Sequence, residues 1–477
     1  MPAPVALAER LAPYGQDHLL RWWDDLSDDE RAELVREIET IDFEQLGSLV
    51  RDLVQSDPGT GIDPTRVRPV EAVRLPGTDG ARATRRALAE IGGKALRAGE
   101  VAVVVVAGGQ GTRLGFDGPK GTFPIGPVSG ASLFQIHAEK IVALSKRYGR
   151  TLPLYVMTSP DNHEATIRFF EEHDRFGLEH ARFFVQGQMP AVDKENGRAL
   201  LASKGRVALT PDGHGGTLAA LGRPGSNGEP SCLEEMRGLG VRTIYYFQVD
   251  NPLVQIADPA FLGLHRQADA EMSFKVVEKV HPDEKLGVVV AVDGQTQVIE
   301  YSDLPPELAE RRKQEGGLEL WAGSIAVHLL EVAFIERILH EEGSRLPFHR
   351  AIKKVPYVDD AGQMVEPTEP NAVKFETFIF DALPKARRFA LMETSRRHEF
   401  EPLKNAKGTE SPDSVRQRMS DLYGEWLDQV GAKVLGRGPD HSVTFGIEIS
   451  PLYALDAAEL KSKIAPDTVV DQPIYLR

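Results

Sequence analysis

Two basic side chains accompany a glycine-rich segment that begins at Ala107 and reads AGGQGTRLG: Arg113 lies near its end, and Lys120 follows it. Glycines let the backbone turn sharply and let a ligand touch bare amides, and successive amides in such a turn form an anion-binding site. Arginine and lysine are well suited to phosphate oxygens. The spacing therefore predicts a phosphate-binding loop at Ala107, Gly108 and Gly109, with the two cations just beyond it.

The element that must position this loop is the apolar run VAVVVV at 101–106. Consecutive β-branched residues favour an extended backbone over a helix. A run without polar alternation is typical of a strand that is covered on both faces, as in a parallel sheet. The loop is therefore expected at the end of a buried strand.

Three interpretations compete for the loop. A P-loop is excluded because the Gly-Lys-Ser/Thr ending is missing. A dinucleotide fingerprint fits Gly109 and Gly111, but Leu114 stands where the third glycine belongs, and Gly115 is one place late. A turn without a ligand would leave the two cations with no purpose.

Asp250 is the candidate metal ligand. It closes the stretch TIYYFQVDN, and a carboxylate at the carboxyl end of a buried strand lies where open α/β sheets bind ligands. Beside a triphosphate it would hold Mg²⁺, a hard cation that prefers oxygen ligands. The alternative is a turn or helix cap, since Asp-Asn-Pro is good turn chemistry.

Apolar strands alternate along the chain with helical segments, which is the pattern of a doubly wound α/β sheet. Further strands are expected at 152–157, 182–186, 243–249, 272–278 and 286–292. The clean alternation VTFGIEI at 443–449 predicts a half-buried strand in a smaller antiparallel unit.

The N-terminal region is expected to be helical, with Ser27 and Glu30 as a capping box and Asp42 as a second cap. A helix is expected at about 84–97, and Ser132 with Gln135 forms another capping-box pattern. The stretch 56–78 is rich in Pro, Gly and Asp without periodicity, and this predicts a long connector.

The composition narrows the functional class. The 477 residues carry a net charge of −15, which disfavours non-specific nucleic-acid binding. A single cysteine, Cys232, excludes an internal disulfide or a multi-cysteine metal site. No stretch approaches the length of a membrane-spanning helix and no apolar signal core opens the chain, so no membrane partner and a cytoplasmic location are expected.

GGQGTRLG followed by PKG closely resembles the signature of the sugar-nucleotide pyrophosphorylases, and specifically the eukaryotic-type UDP-N-acetylhexosamine pyrophosphorylase family. Further segments resemble that family in order from about residue 15 to about residue 451. The resemblance implies an α/β fold in which a Rossmann-like nucleotidyltransferase domain with a mixed sheet (99–410) follows a helical N-terminal region (1–98) and precedes a small α+β C-terminal domain (411–477).

The resemblance also implies roles for single residues. Asp250 lies in a closely similar VDN, where the family holds its metal ion. Gln186, in FFVQGQMPA, matches the glutamine that pairs with uracil, which requires both a donor and an acceptor. Gly213 would approach the base, and His214 the ribose or the sugar, both in PDGHGG. Lys404, in EFEPLKNAKG, matches a lysine that contacts phosphate.

Sugar recognition is implied by three further segments. Gly287 and Glu300 match contacts to the hexose, and Glu300 could equally be an exposed strand residue. Phe378 and Phe380, on one face of KFETFIFD, match the residues that line the N-acetyl end of the pocket, although such residues are more often simply core. Ser324, in WAGSIAVH, stands where the family usually has asparagine.

The implied reaction is uridylyl transfer: UTP and a hexose 1-phosphate give a UDP-sugar and pyrophosphate. The phosphate of the sugar is already an anionic nucleophile, so positioning and charge neutralisation suffice without a general base. N-acetylglucosamine 1-phosphate is the expected sugar substrate. Since His214 also replaces the asparagine usual in the family and resembles the UDP-glucose branch, glucose 1-phosphate or a broad specificity stays open.

Two other classes remain as alternatives. A non-catalytic UDP-sugar sensor is disfavoured because the four charged residues expected to serve the transfer are retained together. A nucleotide-dependent dehydrogenase is disfavoured by the misplaced third glycine. The sequence gives no indication of the oligomeric state.

Overall fold

The computed structural model describes residues 5–56, 63–225, 228–341 and 345–477. The chain forms two compact units, and each collects separate segments of the sequence. The larger unit comprises Pro64–Val185, Ala220–Ser344 and Leu383–Arg477, and the smaller comprises Met1–Asp63, Gln186–Ala219 and Arg345–Ala382. These two units do not test the expected division into three consecutive domains, which stays a prediction. Within the described ranges, no helix has both the length and the apolar character needed to cross a membrane.

The α-helices of the described residues are, in chain order, α1 Val5–Leu11, α2 Asp28–Thr40, α3 Phe43–Leu49, α4 Asp79–Ala98, α5 Leu133–Tyr148, α6 His163–Glu172, α7 Gly216–Gly222, α8 Cys232–Gly238, α9 Pro259–Gln267, α10 Pro306–Ala309, α11 Val332–His340, α12 Arg396–Glu399, α13 Pro412–Gln429 and α14 Ala457–Leu460.

The strands are β1 Val67–Pro69, β2 Val101–Val106, β3 Leu154–Thr158, β4 Ala181–Val185, β5 Gln188–Pro190, β6 Val192–Asp193, β7 Leu201–Ser203, β8 Arg206–Val207, β9 Leu209–Pro211, β10 Thr243–Gln248, β11 Met272–Glu278, β12 Val288–Val292, β13 Gln295–Ile299, β14 Ala322–Glu331, β15 Phe348–Lys353, β16 Tyr357–Val358, β17 Met364–Val365, β18 Ala372–Thr377, β19 Phe389–Glu393, β20 Lys433–Val434, β21 Ile447–Ile449, β22 Val469–Val470 and β23 Ile474–Leu476.

A ten-stranded mixed sheet forms the centre of the larger unit, with the order β1-β12-β14-β10-β2-β3-β4 along its main path. The strands β10, β2, β3 and β4 are parallel, whereas β14 pairs antiparallel with β10. The run VAVVVV is β2, and Val101 to Val105 are all buried. The predicted mixed α/β sheet and its covered central strand are therefore confirmed.

Most predicted element boundaries are right to within about two residues. The strand predicted at 272–278 is β11 without a shift, and that predicted at 286–292 begins two residues later, as β12. Ser27 and Glu30 form the predicted capping box of α2. The helix predicted from about residue 84 begins earlier, at Asp79, because Thr78 caps it by accepting a hydrogen bond from the amide of Ala81.

Two predictions near the ends of the chain are wrong. The connector expected at 56–78, of which 57–62 lie outside the described residues, is interrupted by β1, which extends the large sheet by pairing with β12. Of the antiparallel strand expected at 443–449, only Ile447–Ile449 form a strand, β21, and it pairs parallel with β23. Side chains of α13 satisfy the backbone that precedes β21: the amide of Val443 donates to Asp421, and Gln417 donates to the carbonyl of Val443.

The smaller unit is built around the N-terminal helices. Its main core includes Leu34 and Ile38 of α2 together with Val207 of β8 and Phe375 of β18. β15, β18 and β6 form a three-stranded antiparallel sheet, and β5 pairs antiparallel with β9. These pairings bring the segment after β4 and the segment around β18 together in one unit.

Helices α4 and α9 of the larger unit cross at two glycines. A β-carbon added at Gly92 would lie 2.0 Å from the carbonyl oxygen of Pro259, and one added at Gly263 would lie 1.8 Å from that of Leu88. The backbones therefore meet at a separation that only glycine permits. Because α9 follows the loop that begins at Asp250, this crossing fixes the far end of that loop.

We expect Gly92→Ala to destabilise the protein by about 1–3 kcal/mol, since a methyl group there must push the backbone of α9 away. The neighbouring Gly93→Ala is the matched control: its β-carbon would lie no closer than 3.5 Å to the side chain of Arg97. Alanine is the better helix former by about 1 kcal/mol, so this control should be neutral or stabilising. Melting temperatures of both variants check the prediction, and equal shifts would contradict it.

Candidate active site

The glycine-rich loop leaves the sheet directly after β2 and is held by Asn162, which follows β3. The Nδ2 of Asn162 donates to the carbonyl oxygens of Ala107 at 2.9 Å and Gly109 at 3.4 Å, and its Oδ1 accepts from the amide of Ser159 at 2.9 Å. Asn162 is fully buried. Sequence reasoning missed it; its signal is a polar residue after the neighbouring parallel strand.

Two glycines of the loop serve different purposes. A β-carbon at Gly111 would lie 2.6 Å from the ring of Phe116, so this position must be glycine for the loop to close on itself. A β-carbon at Gly109 would meet only the side chain of Lys120, at 4.0 Å. The protein's own packing does not require glycine at 109, and the loop presents open backbone there.

Lys120 and Asp250 lie together beside this open backbone. The amide of Lys120 donates to the carbonyl oxygen of Gly109 at 3.0 Å, and its Nζ lies 3.6 Å from Oδ2 of Asp250. Their side chains are 19% and 13% exposed, so the pair is largely screened from solvent. Arg113 is exposed, in the 3-10 turn Thr112–Leu114.

Lys404 is connected to Asp250 through the backbone. The amide of Leu403 donates to the carbonyl oxygen of Asp250 at 2.8 Å. The backbone of the next residue, Lys404, is therefore also close to Asp250. Its Nζ donates to Oε1 of Glu410 at 3.4 Å. The structure thus groups the glycine-rich loop, Lys120, Asp250 and the Lys404 segment within the larger unit.

Asp250 fits a metal ion that arrives with a nucleotide. Among the residues the structure describes, no group of three or more His, Cys, Asp or Glu side chains could hold a metal. Mg²⁺ commonly binds one or two carboxylates and takes its other ligands from substrate phosphates and water. One carboxylate beside the glycine-rich loop is compatible with a Mg²⁺ ion that takes most of its ligands from substrate and water. It is not compatible with a metal site formed by protein ligands alone.

The backbone around Asp250 is held from α5. Lys140 donates from Nζ to the carbonyl oxygens of Pro252 at 2.6 Å and Val254 at 2.9 Å. Burial lowers the pKa of Lys140 to about 7, and a nearby glutamate opposes this shift. His137 donates from Nε2 to the carbonyl oxygen of Val249 at 2.9 Å. Burial lowers the pKa of His137 to about 3, so its ring is neutral near pH 7.

Three of the residues expected at the sugar lie together in the larger unit. A β-carbon at Gly287 would lie 2.9 Å from Oε1 of Glu300, which leaves no room for a side chain. The amide of Ser324 donates to the carbonyl oxygen of Gly287 at 2.8 Å. The structure therefore joins these positions through one hairpin and its neighbouring strand.

The residues expected at the base belong to the smaller unit. Gln186 is buried, with 7% of its surface exposed, between the end of β4 and the start of β5. Gly213 has φ +84°, and its β-carbon would lie 2.4 Å from the carbonyl oxygen of Thr377. Close packing against β18 therefore requires glycine at 213, whereas the sequence analysis attributed it to a close approach of the base.

His214 lies in an aromatic cluster of the smaller unit. Its ring centroid is 5.4 Å from that of Phe378 and 5.7 Å from that of Phe380. Its Nδ1 accepts a hydrogen bond from the amide of Ile379 at 3.2 Å, so Nε2 carries the proton in the neutral ring. Burial lowers the pKa of His214 to about 4, and the nearby His349 adds to this shift.

The rings of Phe378 and Phe380 contact each other, but not as neighbours on one strand face, which the sequence had predicted. β18 ends at Thr377, and Phe380 lies in the 3-10 turn Ile379–Lys385, so the two rings do not share a strand face. They stack with centroids 5.0 Å apart. His349 packs on Phe378 at 4.6 Å and was not anticipated.

The known proteins that this chain resembles have consistent descriptions. Residues 47–425 match the protein family described as UTP–glucose-1-phosphate uridylyltransferase. The chain is 37% identical to UDP-N-acetylhexosamine pyrophosphorylase-like protein 1 of Xenopus tropicalis, over 97% of this chain and 94% of the relative. It is 34% identical to UDP-N-acetylglucosamine diphosphorylase 2 of Arabidopsis thaliana, over 96% and 91% of the two chains.

Solved structures agree on the fold. The crystal structure of the uridine diphosphate N-acetylglucosamine pyrophosphorylase from Trypanosoma brucei in complex with inhibitor superposes with a TM-score of 0.83 and 28% identity, covering 99% of this chain and 98% of that one. This similarity confirms the α/β fold class.

The neutral state of His214 should make the protein sensitive to acid. An unfolded histidine binds a proton below about pH 6.5, whereas folded His214 stays neutral down to about pH 4. Stability should therefore fall as the pH drops from 6.5 towards 4, by at most about 1.4 kcal/mol per pH unit from this group. His214→Asn should lower the loss of melting temperature between pH 7 and pH 5, whereas the exposed His281→Asn should not. Parallel curves for both variants and the wild type would contradict this.

Proposed function

Because the chain belongs to the UTP–glucose-1-phosphate uridylyltransferase family, we propose that it transfers the uridylyl group of UTP to N-acetylglucosamine 1-phosphate and releases pyrophosphate. The observation that carries this proposal is the pair Lys120–Asp250 beside the open backbone of Gly109. The names of its relatives support the choice of sugar. Glucose 1-phosphate is the second candidate, favoured by His214 and Ser324.

In this reaction an oxygen of the sugar phosphate forms a bond to the α-phosphorus of UTP, and the bond from that phosphorus to the pyrophosphate oxygen breaks. No proton has to leave the nucleophile, because the phosphate is already anionic. Catalysis then consists of in-line positioning and neutralisation of the charge that accumulates on the phosphoryl oxygens. The described site provides groups for both tasks.

The phosphate-contacting roles fall to the larger unit. The amides of Ala107, Gly108 and Gly109 bind the triphosphate, and Arg113 neutralises the departing pyrophosphate. Lys120 and Lys404 bind the oxygens around the α-phosphorus and the sugar phosphate. Asp250 holds Mg²⁺, which when bound supplies further charge neutralisation at the phosphates.

The base and the sugar are recognised by uncharged donors and by Glu300. Gln186 pairs with the uracil edge, and Gly213 provides backbone beside it. His214 donates from Nε2–H to a hydroxyl of the ribose or the sugar, which its fixed tautomer permits. Glu300 accepts from sugar hydroxyls.

The remaining sugar contacts concern the substituent at C2. Phe378 and Phe380 form an apolar surface for the methyl of an N-acetyl group. Gly287 contributes backbone to the contact with the hexose. Ser324 contributes one hydroxyl to the recognition of the sugar.

The reaction takes place in the cytoplasm, in keeping with the single, buried and unpaired Cys232.

Pyrophosphate release with UTP or ATP and with each of the two sugar 1-phosphates tests the proposal. We expect Mg²⁺-dependent release with UTP and N-acetylglucosamine 1-phosphate, and a strong preference for UTP because Gln186 suits uracil and not adenine. Lys120→Ala should lower kcat by roughly 10²-fold, the scale for losing one preorganised group that stabilises charge.

The matched control is Lys433→Ala, a lysine of β20 whose side chain is 63% exposed, and it should keep the wild-type rate. Equal rates with ATP and UTP would contradict the assigned base recognition. A folded Lys120→Ala variant with an unchanged kcat would remove Lys120 from the site.

The choice of sugar can be tested at the two positions that depart from the family. Restoring both asparagines, in His214→Asn with Ser324→Asn, should widen the preference in kcat/KM for N-acetylglucosamine 1-phosphate over glucose 1-phosphate. A hydrogen bond typically contributes about 0.5–1.5 kcal/mol net, so the ratio should change roughly 2- to 12-fold for each contact restored. An unchanged ratio in the double variant would show that these positions do not choose the sugar.

A further inference from the structure

The loop that carries Asp250 is tied to the segment that carries Lys404 by the side chain of Asn251. Its Nδ2 donates to the carbonyl oxygen of Glu399 at 2.7 Å, and its Oδ1 accepts from the amide of Glu401 at 3.3 Å. An amide side chain can pair with a backbone carbonyl and a backbone amide at once because it carries both a donor and an acceptor. We call this arrangement, Asn251 with residues 399–401, the amide clamp.

The clamp works together with a backbone hydrogen bond next to it. The amide of Leu403 donates to the carbonyl oxygen of Asp250 at 2.8 Å. Asn251 is 6% exposed and Leu403 is fully buried, so water has little access to replace these bonds. Asp250 and Lys404 are thus each one residue away from a fixed, buried contact between the two segments.

Glu399, the residue to which Asn251 donates, is held in place by buried charges. The carboxylate of Glu399 accepts from Nζ of Lys275 at 2.6 Å and from Oγ1 of Thr394. Lys275 has no exposed side-chain surface, and its Nζ also lies 2.8 Å from Oδ2 of Asp258. Glu399 therefore cannot move without separating buried opposite charges, and Asn251 is held against a rigid base.

We propose that Asn251 is a positioning residue that sets the separation between the carboxylate of Asp250 and the ammonium group of Lys404. It thereby couples the binding of Mg²⁺ with nucleotide at Asp250 to the phosphate contact of Lys404. This inference rests on the roles proposed above for these two residues. A displacement of about 1 Å in a catalytic group can lower the rate roughly 10²-fold, so a lost clamp should be visible in the kinetics.

The test compares Asn251→Ala with a matched control elsewhere in the chain. Asn371, in the smaller unit, makes the same kind of paired contact: it donates to the carbonyl oxygen of Val355 at 3.0 Å and accepts from its amide at 2.8 Å. Asn371→Ala therefore removes a similar pair of hydrogen bonds away from the proposed roles, whereas Asn251→Ala also removes the bond that the amide of Leu253 donates to Oδ1 at 3.3 Å. Both melting temperatures should fall, and that of Asn251→Ala should fall by the larger amount.

The kinetics and the Mg²⁺ dependence of the two variants should differ. We expect Asn251→Ala to lower kcat by roughly 10- to 100-fold and to raise the Mg²⁺ concentration that gives half the maximal rate, whereas Asn371→Ala should change neither. Calorimetric titration with UTP gives a readout without turnover. The gain in UTP affinity on adding Mg²⁺ should shrink by about 5-fold or more in Asn251→Ala, which is the lower range of typical coupling between two sites.

A double-mutant cycle with Lys404→Ala identifies the route. If Asn251 acts by placing Lys404, Asn251→Ala should cost little further kcat/KM in the Lys404→Ala background, since residues in one network are not additive. Additive losses, or an unchanged Mg²⁺ response of UTP binding, would overturn the inference. Wild-type protein that makes no UDP-sugar at all would instead overturn the proposed function.

A second variant guards against misfolding. Asn251→Ser keeps a hydroxyl that can accept from a neighbouring amide but cannot reach the carbonyl of Glu399. It should fold and show the same altered Mg²⁺ response. If both variants fail to fold while Asn371→Ala folds, Asn251 serves stability alone and the inference is wrong.

Discussion

The parallel register of β2 and β10 is the constraint on which the proposed phosphate-binding side of the larger unit depends. Val106 pairs with Gln248, so the glycine-rich loop and the loop of Asp250 leave the sheet at the same edge, about 4.8 Å apart. Both strands are buried, and a slip by one residue would turn every side chain to the opposite face. The closeness of Lys120 and Asp250 therefore follows from strand pairing and from the backbone bond that the amide of Lys120 donates to the carbonyl oxygen of Gly109.

Behind that edge, the geometry is fixed by charges that have no access to solvent. Lys275 reaches Asp258 at the start of α9 and Glu399 at the end of α12. Removing one partner of such a buried group typically costs about 3–5 kcal/mol, because it leaves an uncompensated charge. The network thus connects the end of the Asp250 loop to the segment that precedes Lys404. Its contribution is positional, since a buried ion pair adds little net stability compared with apolar packing.

The parts of the site that the sequence predicted are those set by local pattern. A run of valines and three closely spaced glycines determine a strand and a turn without help from distant residues, and both occur where they were expected. Asn162 and Asn251 were missed because their partners are distant: Asn251 contacts a residue 148 positions away. A short polar side chain in a loop gives no sign of a buried backbone partner. The strand predicted at 443–446 is absent for a related reason: the amide of Val443 donates to Asp421 of α13, and the amide of Thr444 donates to the carbonyl oxygen of Gly436.

At Ser324 and His214 the strand and turn contacts constrain only part of each residue. Ser324 contributes to packing through its backbone amide, which donates to Gly287 whatever the side chain. At position 214 the fold needs an acceptor for the amide of Ile379, and an asparagine oxygen could provide one as well as a histidine nitrogen does. At both positions the part of the residue that the fold requires is thus distinct from the part available to a substrate. If these positions choose the sugar as proposed, substrate choice can change while the strand pairing and the buried charges behind the glycine-rich loop remain as they are.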